Sequence, residues 1–255
     1  MRVLITGGAG FIGSHIAEHF QGKAEVRVLD SLRSGYRRNL DGLGVEFIEG
    51  DIRNRELVRE AMRGVDYVFH LAALVSVPES MEKIAECIDI NDTGMIVVLE
   101  EAARAHVKKL CFSTSAAVYG DNPELPKRET MTPEPKSPYA ITKLDGEYYC
   151  RMFTETGKLQ TACLRYFNVF GPRQDPKSAY AAAVPIFIDK ARKNEPLTIF
   201  GDGSQTRDFV FVKDIAAANV FLAQSGHTGV YNVANGGKIT INDLAKEIIR
   251  LTGSK

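Results

Sequence analysis

The first thirty residues constrain the fold more than any other part of the chain. Arg2 to Thr6 (RVLIT) is a short apolar run rich in β-branched residues. It breaks off at Gly7-Gly8-Ala9-Gly10-Phe11-Ile12-Gly13, and a helical pattern follows from Ser14 to Phe20. A second strand pattern, Glu25 to Leu29, ends on Asp30, twenty positions beyond Gly10. The order is strand, glycine turn, helix, strand, acid. Gly7 permits the tight turn, Gly10 leaves room at the backbone for a pyrophosphate, and Gly13 lets the helix pack closely on the strand. The helix start, Phe11-Ile12-Gly13, then offers unpaired N–H groups and the positive end of its dipole to the phosphates. The spacing is G-x-x-G-x-x-G rather than G-x-G-x-x-G, and the strand–turn–helix context gives it its weight. A dinucleotide site is expected here. Asp30 would accept hydrogen bonds from an adenosine ribose and repel a 2′-phosphate, which favours NAD over NADP. Arg33, Arg37 and Arg38 could pair with a 2′-phosphate, but directly after Asp30 they read as a solvated basic loop.

Strand and helix patterns alternate through the first two thirds of the chain. Val45–Ile48, Asp66–His70, Lys109–Phe112 and Thr161–Tyr166 read as strands. Arg53–Met62, Asn91–His106 and Tyr139–Phe153 read as helices between them. This alternation predicts an α/β fold, a doubly wound parallel sheet of Rossmann type with helices on both faces. In such sheets ligands gather at the carboxyl ends of the strands. After Asn168 the pattern changes. Residues 169–183 look irregular, Val184–Lys193 helical, Pro196–Phe200 a short strand and Gly201–Ser204 a turn. Phe209–Val212 and Val230–Val233 read as strands and Ile241–Leu251 as a closing helix. We expect a cofactor domain over residues 1–168, with 206–233 returning to it. A smaller, interleaved C-terminal substrate lobe would comprise 169–205 and 234–255.

Bulk properties exclude several function classes. The 255 residues suffice for a real core. Lys+Arg 32 balances Asp+Glu 32, so no basic excess points to nucleic acid or to an anionic membrane surface. Cys87, Cys111, Cys150 and Cys163 are scattered without a C-x-x-C pair, which suggests buried free thiols in a reducing cytoplasm. The five histidines show no ligand spacing, so no metal is expected. The chain opens directly on a strand, with no signal-peptide pattern, and no apolar run reaches the ~18 residues of a membrane span.

The second strong signal is Ser137-Pro138-Tyr139-Ala140-Ile141-Thr142-Lys143. Ser137 suits an N-cap and Pro138 a first helical position. Tyr139 and Lys143 then share one helix face at i and i+4. A nearby ammonium stabilises a phenolate and would lower the Tyr139 pKa, as a general base for an alcohol requires. Ser113-Thr114-Ser115 lies at a strand end before it.

Together these elements resemble the extended short-chain dehydrogenase/reductase family, in its NAD-dependent epimerase/dehydratase branch. The resemblance runs along essentially the whole chain. It is carried by TGGAGFIGSH at the start, GDIR at 50–53, FHLAA at 69–73, FSTSAAVYG at 112–120, SPYAITK at 137–143, RYFNVFGPRQ at 165–174 and TRDFVFVKD at 206–214. It implies that Asp51 and Ile52 contact adenine, that Leu71, Ala72 and Ala73 line the cofactor channel, and that Asn91, Ser113 and Tyr166 lie on the cofactor side. Lys143 would also bond the nicotinamide ribose. Ser115 would hold the reacting sugar oxygen beside Tyr139. Ser76, Asn168, Tyr180 and Arg207 would bind substrate, Asn168 and Arg207 at a nucleotide-sugar diphosphate and Tyr180 near a uracil ring. An arginine fork suits phosphate oxygens, although Arg207 could instead pair with Asp208 or Asp214.

The branch is decided by what is missing. Related 4,6-dehydratases carry an Asp-Glu pair after the serine or threonine, and UDP-glucuronate decarboxylases a Glu; here stand Ala116 and Ala117. A methyl group cannot protonate a leaving hydroxyl. The expectation is therefore 4-epimerisation of a UDP-sugar through a 4-keto intermediate. The segments at 72–80, 173–176 and 179–182 look most like epimerases of UDP-N-acetylglucosamine and its C4 epimer, with UDP-glucose and UDP-galactose as competitors. The other readings are a nucleotide-sugar dehydratase or reductase and a non-catalytic NAD-binding sensor. Relatives usually continue some tens of residues past the position of Lys255, so the substrate lobe looks incomplete. They pair into homodimers through two helices, matched here by Asn91–His106 and Tyr139–Phe153.

Overall fold

A computed structural model describes residues 1–176 and 182–254. The chain divides into two compact units, one of Met1–Tyr166 with Lys213–Val233, the other of Phe167–Val212 with Ala234–Lys255.

The first unit is built on β1 (Arg2–Thr6), β2 (Glu25–Asp30), β3 (Glu46–Glu49), β4 (Tyr67–His70), β5 (Lys109–Ser115), β6 (Thr161–Tyr166) and a late strand, β10 (Gly229–Val233). They form one parallel sheet in the order β3-β2-β1-β4-β5-β6-β10. This is the doubly wound arrangement, with its switch point between β1 and β4. Sheets covered on both faces need strands that are apolar throughout rather than alternating. Val3, Leu4 and Ile5 of β1 are accordingly all fully buried.

One face is covered by α2 (Arg55–Ala61), α5 (Gly94–Arg104) and α6 (Pro138–Glu155). Leu4, Val68, Leu110 and Phe112 meet Val58, Met95, Leu99 and Phe153 there in a single core. On the other face, Phe20 just past α1 (Phe11–His19) packs its ring 5.5 Å from that of Phe69. Short helices α3 (Val77–Glu82) and α4 (Ile84–Ile88) and a wide π-type turn at Asp89–Thr93 lead into α5. Side-chain caps set several helix starts: Asn54 accepts from Leu57 N–H, Ser76 from Glu79 N–H and Ser137 from Ala140 N–H.

No helix was expected between 212 and 225, yet α8 (Val212–Gln224) is there. It begins on the residue after a strand, and its apolar side chains run most of the way round, so neither a loop signal nor a clean helical stripe marks it. Its C-terminal carbonyls are held by a buried lysine. Lys109 Nζ donates to the carbonyls of Leu222 at 3.1 Å, His227 at 3.0 Å and Ser225. A cation at a helix C-terminus is favourable for the dipole as well as for the orphan carbonyls. Burial lowers the Lys109 pKa.

The second unit contains β7 (Asn168–Phe170) parallel to β9 (Phe209–Phe211), β8 (Thr206–Arg207) antiparallel to β11 (Ile239–Thr240), and helices α7 (Ala183–Arg192) and α9 (Ile241–Thr252). Phe187, Ala191, Ile241, Ala245 and Ile248 form its core. The strand expected at Pro196–Phe200 is not formed. Leu197 and Ile199 instead pack against that helical core, and with no strand beside them their alternating pattern has no ladder to join. The helix expected over Asn91–His106 starts later, at Gly94, because the π-type turn precedes it. No helix among the described residues is long and apolar enough to cross a membrane. The four cysteines are free and buried.

Replacing Lys109 by methionine keeps the stem and removes the donor. We expect Lys109→Met to cost about 1–3 kcal/mol in denaturant unfolding, the range for leaving buried acceptors unpaired. Lys246→Met, at an exposed ion pair on α9, should cost under about 1 kcal/mol.

Candidate active site

The glycine turn leaves β1 with Gly7 at φ 72°, a left-handed conformation that favours glycine. A Cβ at Gly13 would lie 2.3 Å from the Gly7 carbonyl oxygen and 2.7 Å from Gly8 Cα, so the helix start rests directly on the turn's backbone. Gly10 caps α1 without any side-chain hydrogen bond. Among the described residues nothing takes the first N–H groups of α1, which can therefore receive an anion. This cradle fits a dinucleotide pyrophosphate.

Asp30 ends β2 beside it, nearly buried. One carboxylate oxygen accepts from Ala9 N–H at 2.9 Å, the other from Leu32 N–H at 2.8 Å. Burial raises the Asp30 pKa against these two bonds. Asp30 thus braces the turn, and its remaining lone pairs can still accept from a ribose. The arginines after it are exposed, as expected, and also engaged at the surface. Arg33 pairs with Glu79 of α3 at 2.8 Å and Glu86 of α4 at 2.5 Å. Arg37 lies over the Phe47 ring and Arg38 over the Tyr36 ring. Asp51 accepts from Arg53, whose guanidinium also binds Asp89; this holds the Asp51 carboxyl below its usual range. Ile52 is buried against Gly94. Leu71 N–H donates to the Thr6 carbonyl, and Ala72 packs on Gly7, next to Ala73.

Tyr139 and Lys143 stand one turn apart on α6. The Ser115 hydroxyl lies close enough to the Tyr139 hydroxyl to pull its pKa down. Lys143 Nζ is buried and donates to the Ser113 carbonyl at 2.7 Å. It lies 4.8 Å from the Phe112 ring centre and 5.7 Å from that of Tyr139. Desolvation lowers its pKa to about 8. The expected lowering of the Tyr139 pKa by Lys143 is not what this geometry gives. Burial raises the Tyr139 pKa, and the group that pulls it down is Ser115. The ammonium is turned toward a carbonyl, so desolvation of the phenol dominates.

The other expected residues take varied places. The Asn91 amide is spent inside the protein, accepting from Leu74 N–H at 2.7 Å and donating to the Leu74 carbonyl and Thr142 Oγ1. It braces the segment after β4 against α6. Tyr166 is buried, with its hydroxyl on the Asn219 amide of α8. Ser76 caps α3. In the second unit, Asn168 donates to the Asp208 carbonyl at 3.0 Å. Arg207 is exposed, bonds the Thr206 carbonyl and forms no ion pair among the described residues. Asp208 serves the N–H groups of Asn235 and Gly236 instead. Tyr180 lies outside the described residues.

Three features escaped the sequence reading. Buried His70 shares a 2.6 Å hydrogen bond with Thr6, and desolvation holds it neutral, with a pKa pushed down to about 3. A buried network joins Thr114, Glu147, Arg165 and Tyr119. Asp92, in the π-type turn, has one carboxylate oxygen buried without a hydrogen-bond partner among the described residues. Burial and the neighbouring Asp145 push its pKa up to about 6, while Lys143 pulls it down. The visible signal for Glu147 was its place on the Tyr139–Lys143 helix face, where a charge had to find a buried partner.

Residues 3–234 match the NAD dependent epimerase/dehydratase family. A curated relative, the putative UDP-glucose 4-epimerase of Methanocaldococcus jannaschii, is 40% identical over 95% of this chain and 79% of its own length. The solved UDP-N-acetylglucosamine 4-epimerase of Methanobrevibacter ruminantium, in complex with UDP-N-acetylmuramic acid, superposes with a TM-score of 0.97 at 41% identity, over 100% of this chain and 83% of that one. The UDP-glucose 4-epimerase of Thermus thermophilus, in complex with NAD, gives 0.91 at 38% identity, over 100% and 84%. The chain belongs to the NAD-dependent epimerase/dehydratase family, and NAD is its cofactor.

Asp92 carries a stability consequence. Its pKa rises from 3.8 in the unfolded chain to about 6 in the folded one, so folding favours the protonated form. Well below pH 3.8 the proton is bound in both states and Asp92 costs nothing. The penalty builds between pH 4 and 6 and is present in full above it. Since Asp92 is only partly desolvated, we take ~1 kcal/mol after solvent screening, or about 2–4 °C in a domain of this size. Asp92→Asn should raise the thermal midpoint by that amount at pH 7.5 and leave it unchanged well below pH 3.8.

Proposed function

We propose that the protein is a UDP-sugar 4-epimerase, with UDP-N-acetylglucosamine and its C4 epimer as the favoured pair over UDP-glucose and UDP-galactose. The observation that carries this reading is the neighbouring Tyr139 and Ser115 hydroxyls, with Ala116 and Ala117 following Ser115 at once. A proton can be taken from one hydroxyl and returned to it, but no third acid–base group follows to expel another.

In this mechanism Ser115 holds the sugar C4 oxygen beside Tyr139. Tyr139 removes the C4 hydroxyl proton as C4 is oxidised to a ketone, and returns it to the oxygen when C4 is reduced again on the opposite face. NAD, when bound, would supply the hydride-transfer chemistry at C4. Lys143 fixes the nicotinamide ribose and keeps positive charge near the phenolate. The first unit carries the cofactor: Gly7, Gly10, Phe11, Ile12 and Gly13 at the diphosphate, Asp30 at the adenosine ribose. Arg33, saturated by Glu79 and Glu86, is not free for a 2′-phosphate, which supports NAD over NADP. Asn168 and Arg207, in the second unit, take the substrate diphosphate; the exposed guanidinium of Arg207, without an ion pair among the described residues, supports that role. Tethering the 4-keto intermediate through UDP keeps it close while it turns over.

We further assign the protein to the cytoplasm and to a homodimer. Ile88 of α4 and Ile141, Tyr148 and Met152 of α6 are each nearly half exposed, which supports pairing of these helices with a second copy. Among the described residues this apolar surface lies on α4 and α6 rather than on α5.

Incubation with UDP-N-acetylglucosamine and, separately, UDP-glucose, without added NAD, should yield the C4 epimers by NMR. Tyr139→Phe should slow turnover by roughly 10²–10⁴-fold, the usual worth of a general base. Loss of water or carbon dioxide from a substrate, or silence on every nucleotide sugar with NAD bound, would overturn the reading.

A further inference from the structure

The reaction asks only that a serine hydroxyl meet a tyrosine hydroxyl, yet the two sit on different elements. Ser115 ends β5 and Tyr139 opens α6. Something must fix the distance between a strand end and a helix start that are 24 residues apart in sequence.

We propose that the buried Glu147–Arg165 ion pair, acting through Thr114 and Tyr119, is a positioning device that holds the Ser115 hydroxyl against Tyr139. The inference rests on the epimerase reading and deepens it. Tyr139, Lys143 and Glu147 follow one another at i, i+4 and i+8, so Glu147 lies on the helix face that carries the chemistry. One Glu147 oxygen accepts from Thr114 Oγ1 at 2.8 Å and Arg165 Nε at 2.9 Å; the other accepts from Arg165 Nη2 at 2.7 Å. Thr114 is the residue before Ser115. In the sheet, Thr114 is the register partner of Arg165 and Ser115 that of Tyr166.

The remaining arm of Arg165 reaches past Ser115. Arg165 Nη1 donates to the Tyr119 hydroxyl at 2.9 Å, and that hydroxyl donates to Asn232 of β10 at 2.7 Å. Tyr119 ends the short 3₁₀ turn that Ser115 opens, where Ser115 Oγ accepts from Ala117 N–H at 3.1 Å. Ser115 is therefore held on both sides, through the residue before it and through the far end of its turn. Both holds lead to Glu147. Glu147, Arg165, Thr114 and Tyr119 are all at most 4% exposed.

Stability alone does not call for this arrangement. A buried ion pair can often be replaced by apolar residues of the same volume without loss. What apolar packing lacks is direction: a bidentate arginine fork and a fully satisfied hydroxyl chain admit one geometry. A misplacement of about 1 Å at reacting groups is worth on the order of 100-fold in rate. That scale makes a dedicated brace for Ser115 worth its buried charges.

Thr114→Val keeps the side-chain shape and removes the donor to Glu147 while leaving the ion pair intact. In the NAD-loaded full chain we expect kcat to fall about tenfold or more, with KM, bound NAD and thermal midpoint close to wild type, and Thr114→Ser to restore kcat. Ionisation of Tyr139, followed by NMR of tyrosine Cζ-labelled protein and assigned with Tyr139→Phe, should move to higher pH in Thr114→Val as Ser115 drifts from it. Unchanged kcat together with an unchanged Tyr139 titration would overturn the proposal, whatever happened to the melting temperature. If the wild type turns over no nucleotide sugar, the epimerase reading fails by itself. The Tyr139 titration then still decides this inference, a shift supporting it and coincidence sinking it. Should Thr114→Val fail to fold, Tyr119→Phe, which breaks the second hold, is read by the same two measurements.

Discussion

The structure depends first on a contact between two stretches of main chain, Gly13 against the carbonyl of Gly7. A side chain pressed into a tight space can change rotamer, but a backbone carbonyl facing a Cα cannot step aside. This contact sets where α1 begins relative to the end of β1, and so where the free N–H groups point. Further bonds radiate from the same turn. Asp30 holds Ala9 N–H, while Tyr36 N–H and the Asn39 amide hold the Ala9 carbonyl. The loop after β2 is thereby docked on the loop after β1. Since β1 lies between β4 and β2 in the sheet, the Arg33 pairs with Glu79 and Glu86 link the segments on either side of it. The phosphate cradle is thus a junction of three strand ends rather than one flexible loop.

Much of this was legible because its signals are local. The βαβ start, the strand–helix alternation of a doubly wound sheet and the Tyr139–Lys143 spacing each follow from short stretches of neighbouring residues. Signals that depend on distant partners were not legible. Pro196–Phe200 alternates like a strand, but a strand needs a neighbour, and its apolar residues went to the α7–α9 core instead. The helix α8 hid behind a strand-like start at Phe209–Val212. The network of Glu147 and Arg165 hid behind a general expectation that charges face water. A charge on a helix face already committed to the interior is the exception that a sequence can show, and Glu147 was such a case.

The electrostatics of the centre differ from the simple picture of a lysine lowering a tyrosine pKa. Lys143 itself is discouraged from carrying its charge by burial, and so is His70, where the neighbouring ammonium adds to the penalty. Tyr139 is likewise pushed toward its neutral form. A centre in which every ionisation is disfavoured is poised to respond to one added charge. A cationic ring beside the phenol would stabilise the phenolate far more in this dry setting than in water. The Ser115 hydroxyl is the one standing contribution in that direction, which is why its placement matters so much.

Lys143 still has to be charged to play its part, and two neighbours favour that, Cys87 and Asp92. The Cys87 thiol is itself raised by burial, so at neutral pH it carries no charge. That leaves Asp92 as the carboxylate that keeps the ammonium protonated. Asp92 does so at its own expense, half-buried beside Asp145 with an oxygen that no donor among the described residues reaches. A residue chosen for stability alone would not be an aspartate here. Local rules tend to be broken at functional sites, with the cost carried by the rest of the fold. In this chain the break lies in a π-type turn, a helix irregularity often found at such sites. The turn brings Asp92 within electrostatic reach of Lys143 and leaves the Lys143 ammonium its own hydrogen bond to Ser113.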